Sequence, residues 1–212
     1  MSLWKWTGTN FEKCPWHNTN NRLKAVLYGS GTSLLYADKE PEGSVKFVQN
    51  RAHETVDPDI WIGMDLPENF KDDLFDTPFR KIFRGNYANI KHNGIPLKEY
   101  PETYFIDATS KKSEDIFFNR GLETQFYFPK HTMGTALHLI LWMGFKHIVF
   151  SGIDLQGDYA DKRKMSPEKA DETKRLLDEE FLFMSWFIPA AINAGIKIEN
   201  TSEKSRLKEI LP

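Results

Sequence analysis

Residues Thr132–Gly157 read TMGTALHLILWMGFKHIVFSGIDLQG, and this stretch decides the fold. Ala136, Leu137, Ile140, Leu141, Trp142 and Met143 give more than one apolar stripe, which predicts a helix buried on most sides. Gly144 stands where a helix ends in a left-handed residue. Ile148, Val149 and Phe150 form a continuous apolar run, the pattern of a strand covered on both faces. Polar residues begin where that run stops, at Ser151, Gly152 and Asp154. In parallel α/β sheets ligands collect at the carboxyl ends of strands, which makes Asp154 a candidate catalytic residue. At the other end Thr132 can cap the helix and Gly134 lets a ligand approach. The free N–H groups and dipole of such a terminus attract anions.

Working outward, the same pattern recurs. Leu23–Tyr28 reads as a first core strand that runs into Gly29, Ser30, Gly31, Thr32 and Ser33, with a helix expected from Leu34. A glycine-rich turn between strand and helix offers backbone N–H groups to phosphate, although position 34 lacks the third glycine of a dinucleotide fingerprint. A plain tight turn fits the segment equally. Val45–Val48, Ile60–Ile62, Lys81–Phe83, Tyr104–Ile106 and Ile196–Asn200 are further strands. Asn50, Asp65, Asp107 and Asp154 each follow an apolar run, so parallel strands would bring them to one rim. Taken singly, each is also an ordinary turn residue.

Other segments frame this core. Residues 1–22 carry Trp4, Trp6, Phe11 and Trp16 in a polar context, an aromatic N-terminal arm expected to pack on the domain. Residues 108–130 are irregular and suit an insertion beside a cleft. Residues 158–165 are polar and placed to act as a lid over the rim. Pro167–Arg175 reads as the solvated start of a long helix that turns apolar at Leu176 and meets Pro189. Ser202 is a candidate cap for a last helix through Ile210.

The chain has 212 residues, 40% hydrophobic and 27% charged, enough for one compact domain over 23–212. With 28 basic and 30 acidic residues, nothing suggests a general nucleic-acid binder. The single cysteine, Cys14, rules out an intrachain disulfide and a zinc cluster of cysteines, and favours a reducing compartment. No apolar run reaches membrane-spanning length, so a cytoplasmic protein is expected. The six histidines show no zinc spacing; His131, immediately before the helix start, is the notable one.

Three stretches resemble the small bacterial sialyltransferases that use CMP-sialic acid. They are YGSGTSL (Tyr28–Leu34), FVQN (Phe47–Asn50) and the 132–157 stretch itself. The related hydroxymethylpterin diphosphokinase-like proteins share the general pattern, and GIKIENTSEKSRLKEI (Gly195–Ile210) is similar to the C-termini of that group. The resemblance implies a Rossmann-like three-layer α/β fold with a mainly parallel sheet and helices on both faces. It implies that Gly29, Ser30, Gly31, Thr32 and Ser33 line the nucleotide, that Asn50 contacts it, and that Thr132, Met133 and Gly134 lie against the donor. Asp154 would form the floor and Tyr159 would correspond to a lid tyrosine at the leaving phosphate. Ser30, Thr32 and Met133 depart from the family's Asn, Pro and Ser, and no histidine follows His147 to serve as the family's downstream base. Asp154 and His131 remain as candidate bases. The implied reaction moves a sugar from a CMP-type donor to an acceptor hydroxyl, with no metal or cofactor required. The alternatives are a pyrophosphokinase needing Mg²⁺ on carboxylates such as Asp65 and Asp154, or a nucleotide-binding protein without catalysis. The partners expected are the sugar donor and its acceptor, with an oligomer compatible.

Overall fold

The computed structural model describes residues 3–21, 23–36, 42–109, 126–127, 131–157 and 166–211. The expected lid at 158–165, Tyr159 within it, and most of the irregular segment 108–130 lie outside the described residues.

Strands follow the apolar runs. In chain order they are β1 (Leu3–Trp6), β2 (Phe11–Lys13), β3 (Lys24–Tyr28), β4 (Ser44–Gln49), β5 (Ile60–Ile62) and β6 (Arg80–Arg84). A small hairpin, β7 (Lys91–His92) and β8 (Ile95–Pro96), precedes β9 (Thr103–Ile106), and β10 (Ala108–Thr109) pairs in parallel with β11 (Phe126–Tyr127). Then come α1 (Thr132–Trp142), β12 (His147–Ser151), α2 (Pro167–Asn193) and β13 (Lys197–Asn200). The main sheet has nine strands in the order β13-β12-β3-β4-β5-β6-β9-β1-β2. It is parallel from β13 through β9, and β1 pairs antiparallel with both β9 and β2. The fold is a mainly parallel α/β sheet, as the sequence pattern predicts.

Side chains alternate across this sheet with the strand period of two. Ala25, Leu27, Phe47, Ile62, Ile148 and Phe150 face α1 and α2. Val26, Tyr28, Val48 and Val149 face the other way, under Leu34 and Ala52, and Trp61, Phe83 and Phe105 continue that face under Phe70 and Phe75. Among the described residues, helical segments cover both faces unequally: the two α-helices lie on one, and short 3-10 turns such as Thr32–Tyr36 and Asn50–Glu54 on the other. All eleven residues of α1 are buried, which agrees with its all-round apolar sequence.

Three local expectations change. The glycine-rich turn leads into a 3-10 turn at Thr32–Tyr36, where an α-helix was expected. Ser202 does not cap the last helical turn, because Ser205 does so by accepting from Leu207 N. The N-terminal arm is also more than a surface packing: β1 adds to the free edge of β9, pairing Leu3 with Ile106. Its aromatics serve that packing, with Trp16 4.8 Å from Tyr104 and Phe11 5.9 Å from Phe105 between ring centroids. The following segment caps α1, since Asn18 N donates to Trp142 O and Asn20 N to Met143 O, both at 3.1 Å. Those carbonyls have no partner inside the helix. Gly144 turns out of α1 at φ +96°, with Asn18 Cα so close that a Cβ there would lie 2.9 Å from it. No described helix is long and apolar enough to cross a membrane.

Candidate functional site

The chain order reverses at β3. From it the chain steps outward to β4, β5 and β6 on one side, while β12 and β13 fill the other. Such a switch point opens a crevice at the carboxyl rim. Here a cavity of about 210 Å³ is walled by the loops after β3, β4, β5 and β12, by the start of α1 and by one face of α2.

The floor is built by two turns that continue the sheet's pairing beyond its strands. Gly29 N donates to Ser151 O and Gly31 N to Gly152 O, both at 2.8 Å. Glycine is needed for this approach. A Cβ on Gly29 would stand 2.6 Å from Gly152 O, and one on Gly31 would stand 2.6 Å from Asp154 Oδ2. The Asp154 carboxylate closes the turn: it accepts from Ser33 N at 2.9 Å and Thr32 Oγ1 at 3.3 Å, and from the Ser33 hydroxyl on its other oxygen. Ser202 Oγ, 2.8 Å from Ser33 Oγ, accepts from Gly152 N at 2.9 Å. Asp154 is 3% exposed, so a carboxylate here requires these donors, and it has them. Next to it Leu155 is held at φ +56°, a strained conformation for leucine, with Arg206 Nη1 3.4 Å from its carbonyl.

Asn50 directly follows β4 at φ +50°, a conformation asparagine tolerates better than most residues. Its carbonyl accepts from Trp61 Nε1 and His53 Nδ1, both at 2.8 Å, and its side-chain oxygen accepts from Thr132 Oγ1 at 3.1 Å. Thr132 therefore ties α1 to β4 and is not the cap expected of it. The cap is His131, whose Nδ1 accepts from Gly134 N at 3.2 Å. That bond leaves the proton of the neutral ring on Nε2. Burial holds the His131 pKa down at about 4.

Of the residues assigned to the nucleotide, Gly29, Ser30, Gly31, Asn50 and Thr132 reach the cavity wall, as do Asp154 and His131. Thr32, Ser33, Met133 and Gly134 are not part of that wall, and Met133 is 1% exposed in the core. The amides of Gly29, Gly31, Ser33 and Gly134 all donate to acceptors of the protein itself. These four amides hold the loops together. The wall also contains Glu180, which sequence reasoning missed. It lies in the acidic run Asp178, Glu179, Glu180, which looks like a solvated helix face. Helical spacing was the available signal, because Glu180 falls in the stripe of Thr173, Leu177, Met184 and Phe187.

Glu180 Oε1 is 3.7 Å from His131 Nδ1, and 21% of its side-chain surface stays exposed, toward the cavity. Desolvation pushes its pKa up to about 7. Desolvation also raises Asp65, against the opposing pull of Lys169. Asp65, Asp154 and Glu180 thus share a cavity with no Lys or Arg among its described lining residues. No group of three or more metal-ligating side chains able to hold an ion occurs among the described residues.

No family model matches the sequence, and no curated protein does. Among solved structures the chain is similar to the sialyltransferase CstII from Campylobacter jejuni in complex with cytidine-5'-monophosphate. Identity is 15% and the TM-score 0.48, over 91% of this chain and 85% of that one. A structure of the same enzyme with a trisaccharide acceptor and CMP gives 16% and 0.49, over 89% and 84%. A MAf glycosyltransferase from Magnetospirillum magneticum AMB-1 gives 13% and 0.46, over 71% of this chain and 26% of that longer one. At these identities the likeness is one of fold.

Proposed function

We propose that this chain is a nucleotide-sugar-dependent glycosyltransferase of the sialyltransferase-like kind, moving a sugar from a CMP-type donor to an acceptor hydroxyl. One observation carries the reading: four strand-end loops and the first turn of α1 meet in a single cavity at the switch point, where open α/β sheets bind nucleotides. The resemblance of the 28–34, 47–50 and 132–157 stretches supports the donor class. In this reading Ser30, Asn50 and Thr132 contact the nucleotide, and Gly29 and Gly31 bring backbone to the wall. Asp154 braces the floor by its three donors and takes no proton. His131, with Nδ1 occupied, is a hydrogen-bond donor to the leaving phosphate through Nε2, aided by the α1 dipole.

A second reading is favoured by one feature, the three carboxylates facing a cavity with no Lys or Arg among its described lining residues. A Mg²⁺ brought in with a nucleoside triphosphate would offset them, as in pyrophosphoryl transfer. Thermal-shift titration with CMP and with ATP, followed by CMP release from CMP-sialic acid with and without a chelator, separates the two. The first reading expects stabilisation by CMP and release that survives chelation. Stabilisation by ATP only with Mg²⁺, with pyrophosphoryl transfer to a pterin, would replace it with the second.

A further inference from the structure

Transfer to a hydroxyl needs a group to take its proton, and the cavity narrows the choice. Asp154 already accepts three hydrogen bonds. His131 Nδ1 accepts from Gly134 N, and its other ring nitrogen carries the proton. Asp65 is exposed. Glu180 differs from all three. It projects from the middle of α2, a 27-residue helix, onto the wall opposite the turns after β3 and β12. No hydrogen bond reaches its carboxylate from the described residues. The titratable groups that share the cavity with it are His131 at the start of α1, Asp65 after β5 and Asp154 after β12. The rest of the wall is mixed: Leu176, Leu177, Met64, Ile153 and Leu155 are apolar, while Ser30, Gln49, Asn50, Thr132 and Gln156 are polar and uncharged.

We propose that Glu180 is the catalytic proton acceptor of this site, an assignment that rests on the transferase reading. Its carboxylate takes the proton of the acceptor hydroxyl as that oxygen forms a bond to the anomeric carbon of the donor sugar. The bond from that carbon to the phosphate oxygen breaks, and its electron pair leaves on the nucleotide monophosphate. Proton, new glycosidic bond and leaving group are then all accounted for, with no further reactant. His131 contributes a neutral neighbour at 3.7 Å, so Glu180 is desolvated without being neutralised by a salt bridge. A carboxylate displaced to about 7 matches the pH at which a general base works best.

The test uses the full chain and three forms: parent, Glu180→Gln and Glu180→Ala. CMP affinity and melting are measured first, then CMP release from CMP-sialic acid with water as the acceptor, between pH 5 and 9. The parent rate should rise through a limb near pH 7. Glu180→Gln should bind CMP as the parent does while its kcat drops by ~10²–10⁴-fold and the limb disappears. Formate should restore turnover in Glu180→Ala, which a purely structural role would not allow. An active parent together with an undiminished Glu180→Gln, or an unshifted limb, overturns the assignment of Glu180 alone. A parent that fails to bind CMP, or binds it without releasing it from the donor, overturns the transferase reading and Glu180's role with it.

Discussion

Lys81, near the start of β6, and Glu180, on the cavity wall, are both ionisable groups whose pKa is displaced by desolvation. Lys81 is 0% exposed, and burial brings its pKa down to about 8. Its ammonium donates to Thr77 O at 2.6 Å, Phe79 O at 3.2 Å and Thr77 Oγ1 at 3.5 Å, and lies 5.4 Å from the Phe79 ring centroid. Three donors meet three acceptors. Glu180 has a comparable displacement, to about 7, but faces the cavity, with the neutral His131 ring 3.7 Å away. A displaced pKa does not by itself mark a functional group. The completeness of the partner set separates a structural charge from one kept ready for chemistry. Asp154 sits with Lys81 in this comparison, although it lies in the cavity with Glu180.

The sharpest way to break the contrast is Lys81→Ala. It leaves two backbone carbonyls without their donor and a hole in the core, and should cost about 4 kcal/mol of stability. CMP affinity, measured below the melting transition, should not move. A mild loss in chemical denaturation would mean that Lys81 is not the clasp its geometry describes.

Asp154→Ala should come next. Removing the carboxylate releases Ser33 N and two hydroxyls in a nearly closed setting, at a cost of about 2–3 kcal/mol. Asp154→Asn, which keeps one acceptor oxygen, should retain much of the stability and measurable turnover. Complete loss of turnover in a stable Asp154→Asn would move Asp154 to the functional side.

Glu180→Gln should act in the opposite direction. The folded state holds this carboxyl at about 7, above the ordinary carboxylate range, so the native protein binds more protons than the unfolded chain between about pH 4.5 and 7. Parental stability from this group is therefore present at low pH and lost as pH rises through 7. With one pKa unit equal to about 1.4 kcal/mol, and some screening at a partly exposed group, Glu180→Gln should gain about 1–3 kcal/mol at pH 8 and almost nothing at pH 4.5. Equal melting curves for the two proteins at pH 8 would place Glu180 in ordinary solvent.

His131 gives the smallest effect. Losing the cap on Gly134 N should cost about 1 kcal/mol in His131→Ala. Its folded pKa of about 4 lies below the usual histidine value, so stability from this group is lost as pH falls from about 6.5 to 4. That slope opposes the one from Glu180. It should emerge clearly in Glu180→Gln and vanish when His131→Ala is added, as acid melting profiles of the two variants would record.

Much of this architecture is readable in the residues themselves. Apolar runs at 60–62 and 148–150 are strands, Gly144 ends α1, and Asn50 and Asp154 reach one rim because each follows such a run. These are local matters: period-two burial and turn chemistry depend on neighbours a few positions away. Which partner an amide finds is not local. Gly31 N could have met a phosphate, but the pairing of β3 with β12, more than a hundred residues apart in sequence, brings Gly152 O to it. The hairpin of β1 and β2 escaped notice because its pattern is mixed and its reason is the free edge of β9. Glu180 looks like part of an ordinary acidic helix face until the packing of α2 turns it toward the cavity and away from water. Composition and periodicity determined the sheet and its rim. Tertiary packing decided which polar groups there are satisfied, because desolvation and hydrogen bonding act on whatever the folded chain brings within about 4 Å.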